Sequence, residues 1–291
     1  MYKRQGQSVQ YSPAPIGVAS VANPDTGLTG LVAALRQNQV ETLVILGGNP
    51  GYDAPADLEL ATLIKNVPTS IRLGSHQDET ALACKLVVPQ SHYLEMWSDV
   101  RALDGTASIV QPLIEPLYDS MSELELLSHF VDGASNRGYE LVRAQWQTAL
   151  GTLDFEKRWR RMLHEGVIAD VAAPPVQVVL NGASIGAGLA QKEMPQLSLQ
   201  NLELRFVTDA RVFDGRFANN GWLQELPDPM TKLTWDNAAL ISPRTARELA
   251  VKRGDMVSLK YRDRTLEMPV WPMPGMADYV VAVSLGYGRT H

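Results

Sequence analysis

Apolar residues recur at helical spacing at Leu28, Leu31, Val32 and Leu35, which predicts an amphipathic helix from Leu28 to about Asn38. A continuous apolar and β-branched run from Thr42 to Leu46 follows. Its length is that of a strand, and its lack of alternation predicts one covered on both faces. A tight loop, GGNPGYDAP, leads to a second helix over about Asp57 to Lys65. Ser70 to Leu73 and Lys85 to Val88 predict two further strands, with a turn of helix in DETALAC between them. Strand and helix alternating at this short spacing predict a parallel sheet with helices on its faces. Ser122 and Glu125 stand at capping-box spacing before SELELLSHFVDG, and Gly133 is placed to end that helix. Tyr139 to Leu150 and Asp154 to His164 complete the helical set. In the latter, Phe155, Trp159, Met162 and Leu163 form the buried stripe and Gly166 the stop.

The period changes after the Ala/Pro stretch at 172–175. Val176 to Leu180, Leu202 to Val207, Met256 to Tyr261, Thr265 to Trp271 and Tyr279 to Leu285 read as strands, with one short helix from Pro243 to Ala250 capped by Ser242. The pattern thus divides into a parallel α/β layer domain over 27–171 and a mostly β domain over 172–291. Uneven, loop-interrupted strands favour a small barrel over a sandwich in the second. Residues 6–25 are rich in Pro, Ser and Asn and are expected to run extended over a surface. Residues 1–5, MYKRQ, match what a transposon sequencing adapter encodes from a GTG start, so the 1–26 lead-in is expected to begin with an assembly scar. The chain then opens abruptly and stops straight after a strand, so it is expected to be an internal piece of a longer protein, its second domain cut at the C-terminus.

Composition narrows the function classes. At 291 residues, 45% hydrophobic and 20% charged, the chain is globular and long enough for two cores. No run approaches the roughly 20 apolar residues of a spanning helix. A net charge of −6 and the lack of a basic stripe with interleaved aromatics argue against nucleic acid; Lys157 to Arg161 reads as one solvated helix face. The single cysteine, Cys84, supplies neither a disulfide nor a cluster by itself, and its apolar surroundings suit an inert core thiol.

The stretch with the most concentrated chemistry is Arg211 to Asn237, RVFDGRFANNGWLQELPDPMTKLTWDN. It combines Gly215, Asn219, Asn220, Gly221, Trp222, Trp235 and the turn Pro227-Asp228-Pro229. It reads as an ordered surface loop whose Asn and Asp side chains cap its own turns, or as a site. Residues 47–53, GGNPGYD, stand at the C-terminal end of the first strand, where open parallel sheets place ligands. They match neither GxGxxG nor a phosphate loop with its lysine, and a plain strand-to-helix turn is the first reading. Asn181 to Gly188 lacks the downstream cap and acidic partner of a dinucleotide fingerprint and reads as a flexible loop. His76, His92, His129, His164 and His291 are scattered without ligand spacing, so no metal site and no catalytic residue is assigned.

Taken in order, LVILGGNP from Leu43 to Pro50, Asp78-Glu-Thr-Ala81 before LVVP, Glu95, Asn219-Asn220-x-Trp222, Trp235-Asp-Asn, Ile241-Ser-Pro, Ala250 and Gly254-Asp255-x-Val257 resemble the C-terminal half of the molybdopterin oxidoreductase superfamily. HYLEMWSDVRALDGTASIVQPLIEPLYDSMSELELL, GYELVRAQW and DGRFANNGWLQELPDPMTKLTWDNAALISP resemble more closely the molybdopterin-oxidoreductase-like part of the iron–sulfur subunit of alternative complex III, a bacterial quinol:cytochrome c oxidoreductase. The resemblance runs from about residue 27 to the end.

It implies an α/β layer followed by a double-psi β-barrel, in a part that no longer holds molybdenum. That part is a scaffold carrying no cofactor, with iron–sulfur clusters in another domain and haem-bearing cytochrome c subunits as partners. No direct membrane span is implied, and the parent complex would place the chain on the periplasmic face. The surface around QPLIEPLYDS is expected to lie under a partner. The alternative it implies is the half of a genuine enzyme that grips a molybdopterin guanine dinucleotide. Gly47, Gly48, Asn49, Asp78, Asn219 and Asn220 would then be cofactor contacts, with the GGNP loop facing the nucleotide and Asn219 and Asn220 the pterin.

Overall fold

The structure is a computed structural model that describes residues 8–13, 27–133, 137–168, 171–179, 181–190 and 196–290. Residues 1–5, most of the remaining lead-in and His291 lie outside the described residues. The chain divides into two compact units, Met1–Leu180 and Asn181–His291.

The first unit opens with α1 (Leu28–Arg36), β1 (Thr42–Leu46), the short α2 (Pro50–Asp53), α3 (Leu60–Asn66), β2 (Thr69–Gly74), α4 (Glu79–Ala83) and β3 (Leu86–Pro89). Its three strands are parallel in the order β1-β2-β3, with Val44 opposite Ile71 and Leu73 opposite Val88. Val32 and Leu35 of α1, Leu60 and Ile64 of α3, Val67 and Ala83 form the core against this sheet. The central strand β2 carries the burial: Ser70, Ile71, Arg72 and Leu73 are all buried. β1 is instead an edge strand with Leu46 39% exposed, so the expected cover on both of its faces is corrected. The helix expected over 57–65 is split by Glu59, whose φ of 54° separates a 3-10 turn at Ala56–Leu58 from α3.

The unit continues with β4 (Ser98–Arg101), β5 (Ala107–Val110), α5 (Glu123–Asp132), α6 (Gly138–Leu150), α7 (Phe155–Glu165) and β6 (Val167–Ile168). The three strands form an antiparallel sheet, β4-β5-β6, which the sequence pattern did not reveal. Its strands are short; Ala107 and Ile109 of β5 are buried. They meet Val142, Trp146, Phe155, Trp159, Met162 and Ile168 in a second core. Both buried indoles find partners, as buried Trp requires: Trp146 Nε1 donates to Asp99 Oδ2 at 2.8 Å and Trp159 Nε1 to the Tyr139 hydroxyl at 3.2 Å. The capping box is present, with Glu125 N donating to Ser122 Oγ and Ser122 N donating to Glu125 Oε2.

The second unit contains α8 (Gly182–Ala190), β7 (Glu203–Val207), α9 (Gly221–Glu225), β8 (Ala239–Ile241), α10 (Pro243–Glu248), β9 (Met256–Tyr261), β10 (Arg264–Pro272) and β11 (Val280–Ser284). Two sequence expectations are corrected here. Residues 181–188 are helical, because the Asn181 side chain caps the segment by accepting from Ser184 N at 3.1 Å. Residues 176–179, at the end of the first unit, form no strand: Val176 N bonds to Tyr11 O, no ladder follows, and Val179 stands exposed. The five strands form one mixed sheet in the order β7-β11-β8-β10-β9. β7·β11 and β8·β10 pair parallel, whereas β8·β11 and β9·β10 pair antiparallel. Ala239, Ile241, Ala246, Met268, Val270, Val281 and Val283 fill its core. Ser242 caps α10, accepting from Thr245 N at 3.0 Å, as expected.

Candidate functional site

In the first unit, three of the expected site residues, Gly47, Gly48 and Asp78, converge on one buried cation. Arg72 lies in the centre of β2, its side chain 3% exposed. Its Nη1 donates to Gly47 O at 2.6 Å and Leu73 O at 2.9 Å; its Nη2 donates to Gly48 O and, at 2.9 Å, to Asp78 Oδ2. Gly74 is required beside it, since a Cβ there would stand 2.9 Å from the guanidinium carbon. Nε of Arg72 has no hydrogen-bond partner among the described residues.

Gly47 and Gly48 turn with φ of 64° and 65°, a left-handed pair that glycine adopts without Cβ strain. The turn aims both carbonyls at Arg72, so the loop is held from beneath. On the other side a Cβ at Gly47 would meet nothing within 4 Å, and one at Gly48 would touch only Pro50 Cδ at 3.9 Å. That side of the backbone has open space.

The Asn49 side chain is turned inward. Asn49 Nδ2 donates to Glu79 Oε2 at 2.8 Å, while its Oδ1 accepts from Thr80 N at 3.1 Å and from Thr80 Oγ1 at 2.6 Å. Gly51 N donates to Thr80 Oγ1 at 2.8 Å. Asp78 divides its carboxylate between Arg72 and the helix cap, accepting from Ala81 N at 2.9 Å. Cys84 lies nearby; burial pushes its thiol pKa up, against the pull of Arg72. A thiol held protonated is a poor nucleophile.

The second unit carries the Arg211–Asn237 segment around its own buried arginine. Arg211 Nη1 donates to Leu233 O at 2.9 Å and Leu226 O at 3.4 Å, and Nη2 donates to Asp236 O at 3.3 Å and to the Tyr287 hydroxyl. Asp209 lies against it, 3.4 Å from Nε, and accepts from Tyr287 at 3.1 Å. Burial first, and the Asp209 carboxylate next, push the Tyr287 pKa up to about 12. Asp228 ties the Pro-Asp-Pro turn by accepting from Met230 N and Thr231 N. Its burial alone would raise its pKa, but these bonds outweigh it and hold the carboxyl below the usual range.

Asn220 caps α9, its Oδ1 accepting from Trp222 N at 3.1 Å and Leu223 N at 3.3 Å, and Asn219 is exposed beside it. Trp222 stands 85% exposed and Trp235, at φ 61°, 58% exposed. Asn219 and Asn220 thus belong to the second unit, whereas in the first Gly47, Gly48 and Asp78 are gathered around Arg72 and Asn49 is bonded to Glu79 and Thr80. Sequence reasoning missed both arginines. A lone charge in an otherwise apolar strand, Ser70-Ile71-Arg72-Leu73, was the available signal for Arg72.

Among the described residues no group of three or more His, Cys, Asp or Glu is arranged to hold a metal ion, and no helix is long and apolar enough to cross a membrane. The Arg72-bound loop has room for a ligand along its backbone, but the side chains that would recognise a pterin dinucleotide there do not fit that role as they stand. Asn49 and Asp78 make their bonds within the protein.

No family model matches the sequence. Over 278 residues the chain is 23% identical to the menaquinone reductase, molybdopterin-binding-like subunit of Nitratidesulfovibrio vulgaris, a match that covers 89% of this chain and 37% of that protein. Its fold is similar to that of acetylene hydratase from Pelobacter acetylenicus, with a TM-score of 0.67 and 15% identity over 89% of this chain and 39% of that one. The chain therefore spans about two fifths of the length of each.

Proposed function

Because this chain is molybdopterin-oxidoreductase-like, we propose that it is a cofactor-free scaffold within the iron–sulfur subunit of a membrane-associated respiratory complex that exchanges electrons with quinol. The observation that carries this reading is the internal commitment of the recognition side chains. Asn49 and Asp78 are bonded to Glu79, Thr80, Ala81 and Arg72, and Asn220 is used as a helix cap. The buried Arg72 guanidinium holds the shape of the glycine loop. The relative named as a molybdopterin-binding-like subunit of a menaquinone reductase supports the same assignment.

In this reading the five-stranded sheet of the second unit is a double-psi β-barrel; its two parallel pairs joined by an antiparallel one support that topology. Electrons pass through iron–sulfur clusters in another domain and on to cytochrome c subunits on the periplasmic face. Leu113, Leu117 and Tyr118, exposed together in QPLIEPLYDS, support a surface covered by such a partner.

The second reading is a genuine molybdopterin guanine dinucleotide oxidoreductase, and the open space beside Gly47 favours it. There, the Gly47 and Gly48 backbone would lie against the nucleotide and Asn219 near the pterin, and the cofactor would supply the redox chemistry. Elemental mass spectrometry and pterin fluorescence on the full-length protein from its native membrane separate the two. Iron without molybdenum, tungsten or pterin is the expected result. Near-stoichiometric molybdenum or tungsten with a pterin dinucleotide overturns the scaffold reading.

A further inference from the structure

The β9–β10 hairpin continues past the core that anchors it. Residues directly opposite one another in an antiparallel pair share a face. Val257 opposite Met268, Leu259 opposite Leu266 and Tyr261 opposite Arg264 therefore make one stripe. At its base the stripe is core: Met268 is buried, and Val257 and Leu259 pack on the same cluster. Further out the cluster ends while the stripe goes on, leaving Leu266 51% and Tyr261 57% exposed. Every residue from Lys260 to Glu267 is exposed.

The charge at this end is opposite to that of the chain. Over Lys260 to Glu267, the three cations Lys260, Arg262 and Arg264 outnumber the carboxylates of Asp263 and Glu267, a net charge of +1 on a chain of −6. Arg262 folds back over the Tyr261 ring at 5.2 Å from its centroid. Aromatic and aliphatic side chains flanked by Lys and Arg are the composition of an element that lies in the interface of an anionic bilayer. There the apolar groups enter the headgroup boundary and the cations meet lipid phosphates.

We propose that the tip of this hairpin, Lys260 to Leu266, is a peripheral contact with an anionic membrane surface. The contact does not depend on whether a pterin is bound.

The test is co-sedimentation of the 291-residue chain with vesicles of phosphatidylcholine containing about a third phosphatidylglycerol, against pure phosphatidylcholine. Binding is expected to the anionic vesicles alone and to weaken as salt is raised. The triple variant K260E/R262E/R264E is expected to lose about a hundredfold in partition coefficient. L266S should lose roughly an order of magnitude less than that triple variant while retaining the salt dependence. Should the charge reversal perturb folding, R262Q/R264Q carries the test, expected to fall about tenfold. Equal binding by wild type and the charge variants would place the contact elsewhere and overturn the proposal. Failure of the wild type to bind anionic vesicles at low salt would also overturn it, and would leave the stripe as a protein-contact surface.

Discussion

Arg72 and Asp78 form an ion pair at 2.9 Å with side chains only 3% and 9% exposed. A charge pair this deep is costly to desolvate and is sustained by its remaining bonds. Arg72 adds three carbonyls and Asp78 adds the first turn of α4. The pair therefore fastens the loop after β1 to the helix before β3.

Removing one partner should be far worse than removing both. Asp78→Ala leaves a buried, uncompensated guanidinium and is expected to cost about 3–5 kcal/mol. The double variant R72M/D78A is expected to recover part of that loss, with the α4 cap still missing. Urea denaturation followed by tryptophan fluorescence measures both; a double variant less stable than Asp78→Ala would contradict the assignment.

Two glycine substitutions should differ in cost for a geometric reason. Gly286 has φ 97°, and a Cβ there would stand 2.7 Å from Val212 Cγ2 and 2.9 Å from Gly215 N. Gly286→Ala combines backbone strain with overpacking and is expected to cost about 2–4 kcal/mol. Gly48→Ala meets open space and should cost about 1 kcal/mol from its left-handed φ alone. Thermal midpoints of the two variants rank them directly.

The second unit should weaken at alkaline pH through Tyr287. Its pKa in the fold, about 12, lies above the ordinary 10.0 because burial and then Asp209 oppose the phenolate. A raised pKa means stability fully present below pH about 10 and lost as pH rises through about 12. Tyr287→Phe should cost about 1–2 kcal/mol near pH 8, from the bonds lost to Asp209 and Arg211. It should also flatten the loss between pH 10 and 12, so the wild-type and variant midpoints converge as pH rises. Parallel curves would refute the assignment.

Caps with different surroundings should also separate. Ser242 is buried, accepts from Thr245 N and donates to Asp278 Oδ1 at 2.6 Å. Ser242→Ala is expected to cost about 2 kcal/mol globally. Asn220 caps the five-residue α9 at the surface, and Asn220→Ala should leave global stability within about 0.5 kcal/mol. Faster amide exchange at Trp222 and Leu223 is its expected signature.

The sequence made legible what is encoded locally. The run Thr42–Leu46, the capping box of Ser122 and Glu125, and the Ser242 cap each depend on neighbours within a few positions. The β4–β5–β6 sheet was hidden because Ser98–Arg101 is polar and finds its pattern only opposite Ala107–Val110. α8 was hidden because three glycines outweigh one capping Asn181 in any propensity argument. The candidate loop was visible as glycines, but its hub was not: Arg72 reaches carbonyls 24 and 25 residues away, a separation that no periodicity carries. Arg211 and Tyr287, 76 residues apart, are the same case in the second unit.

The Gly47–Gly48 turn is shaped by a residue of its own sheet. A turn kept in form by an internal clamp holds its shape whether or not a ligand lies against it, because removing a ligand removes none of the forces that bend it. Likeness of backbone then records ancestry, while chemistry is recorded in where the amides and carboxylates point. Two proteins superimposable at such a turn can differ in what they bind there.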